Sequence, residues 1–364
     1  MDRGLERTDH LIPFTRVGSQ PPQSGVDVRD GKMAELAGAR VLVTGAGGFI
    51  GSHLTRRLVE RGADVHALTS SVSSVYPQRL VDLREQITLH EGDLADRSAM
   101  EAVAHAARPT FVFHLGAYTH VGKSWQRVDE CIATNVQGTV NLLMALAPLG
   151  YERFVYTGTS EIYGDVDVPF REDGPVNPIS PYAVSKYAGE RYCRMFVQGR
   201  DWPIVMVRPF NAYGPAQTPD RVIPEIIARG LTGQELLMTQ GLQTREFNYV
   251  TDIAEGFVAA ALHGTPGRLY NIGCGEEISM AQLAALTLKL MGDPITAQLG
   301  ALPDRPTEIW RMHADATRAR RELGWAPAVS LEEGLTRTIA WYREEYARGA
   351  SSFSPAAPRP DHHP

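Results

Sequence analysis

A buried strand that runs straight into a glycine-dense turn and then into a helix is the feature that most narrows what this chain can become. Residues Val41–Thr44 are apolar and mostly β-branched, Gly45, Gly47, Gly48 and Gly51 crowd the turn, and a helical pattern continues through Phe49 and Ile50 to about Arg61. Glycines let the backbone reach positive φ and let a ligand approach the amides closely. The helix that follows offers unpaired N–H groups and the positive end of its dipole to a pyrophosphate. Strand, turn and helix in that order form the setting of a dinucleotide fingerprint.

Downstream of that turn, apolar runs alternate with helical patterns. Strands are expected at Val41–Thr44, Asp64–Leu68, Ile87–Leu89, Phe111–Leu115, Phe154–Thr157 and Ile204–Val207, and helices at Gly48–Arg61, Arg97–Ala107, Val128–Leu146 and Pro181–Val197. Continuous apolar strands separated by helices imply a parallel sheet covered on both faces. With right-handed crossovers it winds outward both ways from its first strand, and ligands bind at the carboxyl ends of the strands. The fold class is therefore α/β: a Rossmann-type doubly wound parallel sheet with a smaller, mainly helical C-terminal substrate-binding region. After Val207 helices are expected at Pro224–Thr232, Asp252–Ala261, Met280–Met291, Ala314–Leu323 and Leu331–Tyr346, with short strands at Leu269–Gly273 and Ile295–Leu299. The expected organisation is a flexible extension over 1–38, in which Met33 is a second candidate start, a dinucleotide-binding domain over 39–210, a substrate region over 211–348 that packs partly back onto the sheet, and a disordered tail over 349–364.

Composition excludes several classes. A net charge of −6 argues against nucleic acid or an anionic membrane surface as partner, and no apolar run has membrane-spanning length. Asp2, Arg3, Glu6, Arg7 and Asp9 at the N-terminus do not read as a secretory signal. Cys131, Cys193 and Cys274 show neither metal nor redox spacing, so free thiols, no metal and a cytoplasmic location are expected.

Tyr182 and Lys186 follow Ser180-Pro181, in the first turns of a helix, and a spacing of four puts phenol and ammonium on one face. A free tyrosine, with a pKa of about 10, is a poor base at neutral pH; a neighbouring cation favours the phenolate. The pair gains meaning from Thr159, Ser160 and Glu161, which end the fifth strand on the side where the glycine turn opens.

Taken together with Gly92-Asp93-Leu94, His114-Leu115-Gly116-Ala117, Asn135 through Gly138-Thr139, and Arg208-Pro209-Phe210-Asn211-Ala212-Tyr213-Gly214-Pro215, these marks resemble the extended short-chain dehydrogenase/reductases, the NAD(P)-dependent nucleotide-sugar epimerases and dehydratases, from about Arg40 to Arg348. The resemblance implies that Gly45, Gly47, Gly48, Phe49, Ile50 and Gly51 hold the cofactor, with Asp93, Leu94, Leu115, Gly116, Ala117 and Asn135 around it; Ser70, at the end of the second strand, is a further cofactor candidate as a small hydroxyl open to a 2′-phosphate. Gly116 stands where the family usually has alanine. Lys186 would hold the nicotinamide ribose and lower the pKa of Tyr182; Thr159 would hydrogen-bond the sugar hydroxyl that Tyr182 deprotonates. Thr119, Ser124, Asn211, Arg245 and Arg305 would meet the sugar nucleotide. The resemblance also implies a homodimer paired through a four-helix bundle built from the helices at 128–146 and 181–197.

Glu161 discriminates between reactions. A 4-epimerase needs only tyrosine, lysine and a hydroxyl, whereas a 4,6-dehydratase must also remove the C5 proton and expel the C6 hydroxyl. Thr159-Ser160-Glu161 resembles the Thr-Ser-Glu of GDP-mannose and UDP-N-acetylglucosamine 4,6-dehydratases; the dTDP-glucose enzymes carry Thr-Asp-Glu. The first reading is thus a nucleotide-sugar 4,6-dehydratase, with a UDP-sugar 4-epimerase, a UDP-glucuronate decarboxylase and a non-enzymatic NAD(P)-sensing protein as alternatives. An NAD enzyme normally ends its second strand with an acid; here that place reads Leu68-Thr69-Ser70-Ser71, and Arg79 is a candidate for a 2′-phosphate, which tilts the choice between NAD and NADP toward NADP.

Overall fold

The computed structural model describes residues 36–70, 79–304 and 308–349. Most of the expected N-terminal extension, nearly all of the expected tail, and Arg305 lie outside the described residues. Seven parallel strands form the central sheet: β1 (Arg40–Thr44), β2 (Asp64–Thr69), β3 (Ile87–Glu91), β4 (Phe111–His114), β5 (Arg153–Thr157), β6 (Ile204–Pro209) and β7 (Leu269–Ile272), in the order β3-β2-β1-β4-β5-β6-β7. Because side chains alternate along a strand, each strand feeds both faces. Val41, Val43, Phe111, Phe113, Val205 and Val207 pack on one side against α1 (Phe49–Glu60) and α6 (Val250–His263). Leu42, Val112, Phe154 and Met206 pack on the other against α2 (Arg97–Ala107), α3 (128–146) and α4 (Pro181–Arg200). Burial on both faces is why these strands read as unbroken apolar runs.

The chain reverses its direction of growth between β3 and β4, so the crevice between the ends of β1 and β4 is a topological switch point, where ligands of such sheets bind. The glycine turn leaves β1 there and Leu115–Ala117 leave β4 beside it. Beyond β6, α5 (Val222–Thr232), α7 (Met280–Met291) and α8 (Leu331–Ala347) enclose a separate core around Ile227, Leu283, Leu335 and Tyr342. Ser279 and Gln282 form a reciprocal capping box at the start of α7.

Two expectations need correction. The helix over 128–146 is not regular: Ile132–Gln137 widen into a π turn between Val128–Cys131 and Gly138–Leu146, and the widening puts Asn135 against the backbone of residue 118. The helix expected from Ala314 starts later, because Ala314 bridges to Phe170 and Asp315 Oδ1 takes the Thr317 amide, leaving a π-type turn at Ala319–Leu323. Residues 269–272, expected as a short strand, form the seventh strand of the main sheet.

Candidate functional site

The glycine turn is built for an anion. Gly45 has a φ of 68°, a side chain on Gly51 would overlap the Gly45 carbonyl oxygen, and Gly48 begins α1 with no side-chain cap and no acid in the first turn. The first N–H groups of α1, at Phe49 and Ile50, thus meet no competing carboxylate of their own helix, and the residues present fit a pyrophosphate. Gly47 is buried in the same turn and Ser70 stands exposed at the end of β2. Asp93 is exposed, with Oδ1 accepting from the Ala95 amide at 2.9 Å, and Leu94 is buried against Gly116 and Gly138. A methyl on Gly116 would come within 2.7 Å of Leu94 Cδ1 and 3.1 Å of Thr44 Oγ1. The first of these is the end of a flexible side chain, which explains how glycine and alanine can both serve there.

A directed chain of hydrogen bonds welds β1, β4 and α3 together. The Gly116 amide donates to Thr44 Oγ1 at 3.0 Å, Thr44 donates to His114 Nδ1 at 2.8 Å, His114 Nε2–H donates to Thr139 Oγ1 at 3.0 Å, and Thr139 donates to the Asn135 carbonyl at 2.7 Å. Only the Nε2–H tautomer satisfies every member. Burial holds the His114 imidazole neutral, with its pKa down at about 3, and the Lys186 charge adds to this. Asn135, expected near the cofactor, has its side-chain amide engaged: Oδ1 accepts from the Tyr118 amide at 2.8 Å, and Nδ2 donates to the Tyr118 carbonyl at 3.2 Å and to Ser185 Oγ at 2.8 Å. Through Ser185 it braces the helix that carries Tyr182.

That helix, α4, starts on Ser180, whose Oγ accepts from the Ala183 amide, with Pro181 in the first turn. Tyr182 and Lys186 lie on its buried face, and Tyr182 hydrogen-bonds to Thr159. Burial pushes the phenol up to about 12; the Thr159 contact pulls the other way, the Glu161 carboxylate raises it further, and Arg221 lowers it. The Lys186 ammonium sits 4.7 Å over the Tyr156 ring centroid, and burial brings its own pKa down to about 8. In this structure burial of the phenol outweighs the opposing pull of Thr159 and Arg221.

Thr159 starts the short turn Ser160–Ile162 and accepts from the Glu161 amide at 3.3 Å. Ser160 is buried, its hydroxyl turned toward Met312 Sδ at 3.5 Å, and Glu161 is half-buried. Asn211 Nδ2 donates to the Glu246 carbonyl at 3.3 Å and lies 4.0 Å from Met312 Sδ, so Ser160 and Asn211 share one wall. Arg245 is paired with Glu308 at 2.5 Å. Thr119 is exposed just beyond β4, whereas Ser124 is fully buried and donates to the Val121 carbonyl at 2.6 Å. Arg79, considered for a 2′-phosphate, donates from Nη1 to the Gly47 carbonyl and from Nε to the Ala216 carbonyl. Among the described residues no cluster of His, Cys and carboxylates could hold a metal ion.

Sequence reasoning did not find the groups behind the site. Glu190, fully buried and one turn beyond Lys186, receives both Nε and Nη2 of Arg208 at 2.9 Å, and Arg208 stacks over the Tyr163 ring at 4.6 Å. The 182/186/190 spacing was the available signal.

Residues 41–273 match the NAD dependent epimerase/dehydratase family. The dTDP-D-glucose 4,6-dehydratase of Homo sapiens is 34% identical over 318 residues, spanning 84% of this chain and 91% of its own, and the Streptomyces griseus dTDP-glucose 4,6-dehydratase is 35% identical over 315 residues, spanning 84% and 94%. The crystal structure of the Streptomyces venezuelae dTDP-glucose 4,6-dehydratase with NAD and TYD bound superposes with a TM-score of 0.79 at 30% identity, covering 85% of this chain and 98% of that one. The Thermotoga maritima UDP-glucose 4-epimerase structure with UDP-glucose gives 0.80 at 32% identity, covering 84% and 99%. With its sheet, its glycine turn and its Tyr182/Lys186 helix in place, this chain belongs to the NAD dependent epimerase/dehydratase family, the NAD-dependent enzymes that act on nucleotide sugars.

Proposed function

We propose that the chain is a nucleotide-sugar 4,6-dehydratase that forms a 4-keto-6-deoxy sugar nucleotide. The observation that carries this reading is the turn at the end of β5, which sets the Thr159 hydroxyl on the Tyr182 phenol and the Glu161 carboxylate within electrostatic reach of it. A nicotinamide dinucleotide on the glycine turn supplies a hydride acceptor that later gives the hydride back. Tyr182 takes the C4 hydroxyl proton, with Thr159 orienting that hydroxyl. The C4 ketone acidifies C5; Glu161 removes the C5 proton and protonates the departing C6 hydroxyl, so that one water leaves. As the hydride returns at C6, a proton is delivered to C5, balancing the one that Tyr182 took from the C4 hydroxyl. Ser160, turned toward a thioether, is a poor donor for that step, which leaves Glu161 to serve as both base and acid. Lys186 orients the cofactor, and Asn211, Arg245, Thr119 and Arg305 receive the sugar nucleotide. Residues 39–210 carry the cofactor and 211–348 the substrate.

The base and sugar are an open choice between a dTDP-glucose substrate, suggested by the relatives, and the GDP-mannose type suggested by Thr159-Ser160-Glu161. The absence of a carboxylate at Ser70 supports NADP, while the engagement of Arg79 with two carbonyls weakens that preference. A homodimer is supported by Val128, Ile132, Val184 and Met195, apolar and exposed on α3 and α4. A cytoplasmic location is supported by the three cysteines kept as thiols; no helix among the described residues is long and apolar enough to cross a membrane. Incubation with dTDP-glucose, GDP-mannose, UDP-N-acetylglucosamine and UDP-glucose tests the reading. A 4-keto-6-deoxy product supports it; a C4 epimer, the outcome favoured by the likeness to the Thermotoga epimerase, replaces it; no conversion of any of them overturns it.

A further inference from the structure

The turn at residues 214–217 belongs to the substrate side of the chain, yet it is fastened to the cofactor side. His53, one turn into α1 from Phe49, donates from Nε2 to the Pro215 carbonyl at 3.0 Å. Arg79 bridges two carbonyls at once, Ala216 at 3.0 Å and Gly47 at 3.1 Å, so that one guanidinium joins this turn to the glycine turn. On its far side the same turn is held by α8, where the Tyr342 hydroxyl donates to the Gln217 carbonyl, and internally by Gln217 Nε2 on the Ala212 carbonyl at 2.9 Å. Ala216 takes a φ of 65°, a left-handed conformation that a residue with a Cβ adopts only when its surroundings impose it. Burial keeps His53 neutral, with a pKa down at about 4, and Arg56 and Arg79 reinforce this, so it remains a single-proton donor at neutral pH.

We propose that His53 and Arg79 form a clasp that pins the 214–217 turn across the glycine turn and makes a bound dinucleotide slow to exchange. The inference rests on the glycine turn holding a dinucleotide, as the proposed function requires. A cycle that takes a hydride and returns it never needs to release its cofactor, so retention costs no turnover; an oxidoreductase that exchanged cofactor each cycle could not tolerate such a fastening. Both are positioning residues, acting through the turn that they hold. Arg79 contributes charge-assisted hydrogen bonds, the stronger kind; Ala at 79 has no donor, and Lys lacks the planar fork that here sends two separate N–H groups to the two carbonyls.

The test is the half-life of bound dinucleotide in the purified full chain, followed by chasing with excess labelled NAD and, separately, NADP. Arg79→Ala and Arg79→Lys should each exchange at least tenfold faster than wild type. His53→Ala should do the same, and His53→Gln, which keeps an N–H donor, should recover most of the retention. Thermal unfolding of each variant in the dinucleotide-free state identifies any that fails to fold, and Arg79→Lys, the mildest change, carries the decision in that case. Exchange as slow as wild type in both Arg79 variants overturns the clasp while leaving the site intact. A wild-type chain that binds neither dinucleotide overturns the reading of the glycine turn, and the clasp with it.

Discussion

Tyr182 starts from an unfavourable position: it is buried, and its pKa stands at about 12. Each neighbour moves it with a definite sign. Thr159 donates to the phenolate form, so Thr159→Val should raise the phenol's pKa and shift the acid limb of kcat/KM for C4 oxidation to higher pH. The Glu161 charge opposes ionisation, so Glu161→Gln should move that limb the other way. The same variant should oxidise C4, seen as reduced nicotinamide accumulating, while elimination stops; normal turnover by Glu161→Gln would remove it from the mechanism. Tyr182→Phe should lose about 10²–10⁴-fold in kcat, the usual contribution of a positioned proton acceptor.

Among the elements, α4 does the most: it carries Tyr182 and Lys186, is braced by Asn135 through Ser185, and is locked to β6 by Glu190 and Arg208. Leaving either charge of that buried pair alone costs roughly 3–5 kcal/mol, so Glu190→Gln should lower the unfolding free energy by that order in a denaturant titration. Its outer face is different. Val184 and Met195 on α4 and Ile132 on α3 are exposed, and if these faces pair two copies as proposed, the wild type should run as a dimer by size-exclusion chromatography and Ile132→Glu with Val184→Glu as a folded monomer. The strands and helices of the sheet were legible because period and apolarity write them into the sequence, and the glycine turn because only glycine fits there. The π turn was not, since what accompanies it is the pairing of the Asn135 amide with the backbone of residue 118, and nothing in the local pattern of 128–146 records that partner. Likewise the clasp of Arg79 on Gly47 and Ala216 joins residues far apart in sequence, and neither carbonyl has any side-chain identity to read.

For the molecule as a whole, buried imidazoles set a limit in acid. His114 and His53 have pKa values of about 3 and about 4 against an ordinary 6.5, so the folded state binds fewer protons than the unfolded chain below that value. Their contribution is fully present above pH 6.5 and is lost as pH falls toward 4, by roughly 2 kcal/mol per group on reaching pH 5. The melting temperature should therefore drop over that interval, and less steeply in His53→Gln. One further property follows from where β7 comes from. It is made of residues 269–272, deep in the second half of the chain, yet it completes the sheet begun at residue 40. Severing the gene after residue 210 would strip β6 of its neighbour and of α6 above it, so neither piece is a portable module.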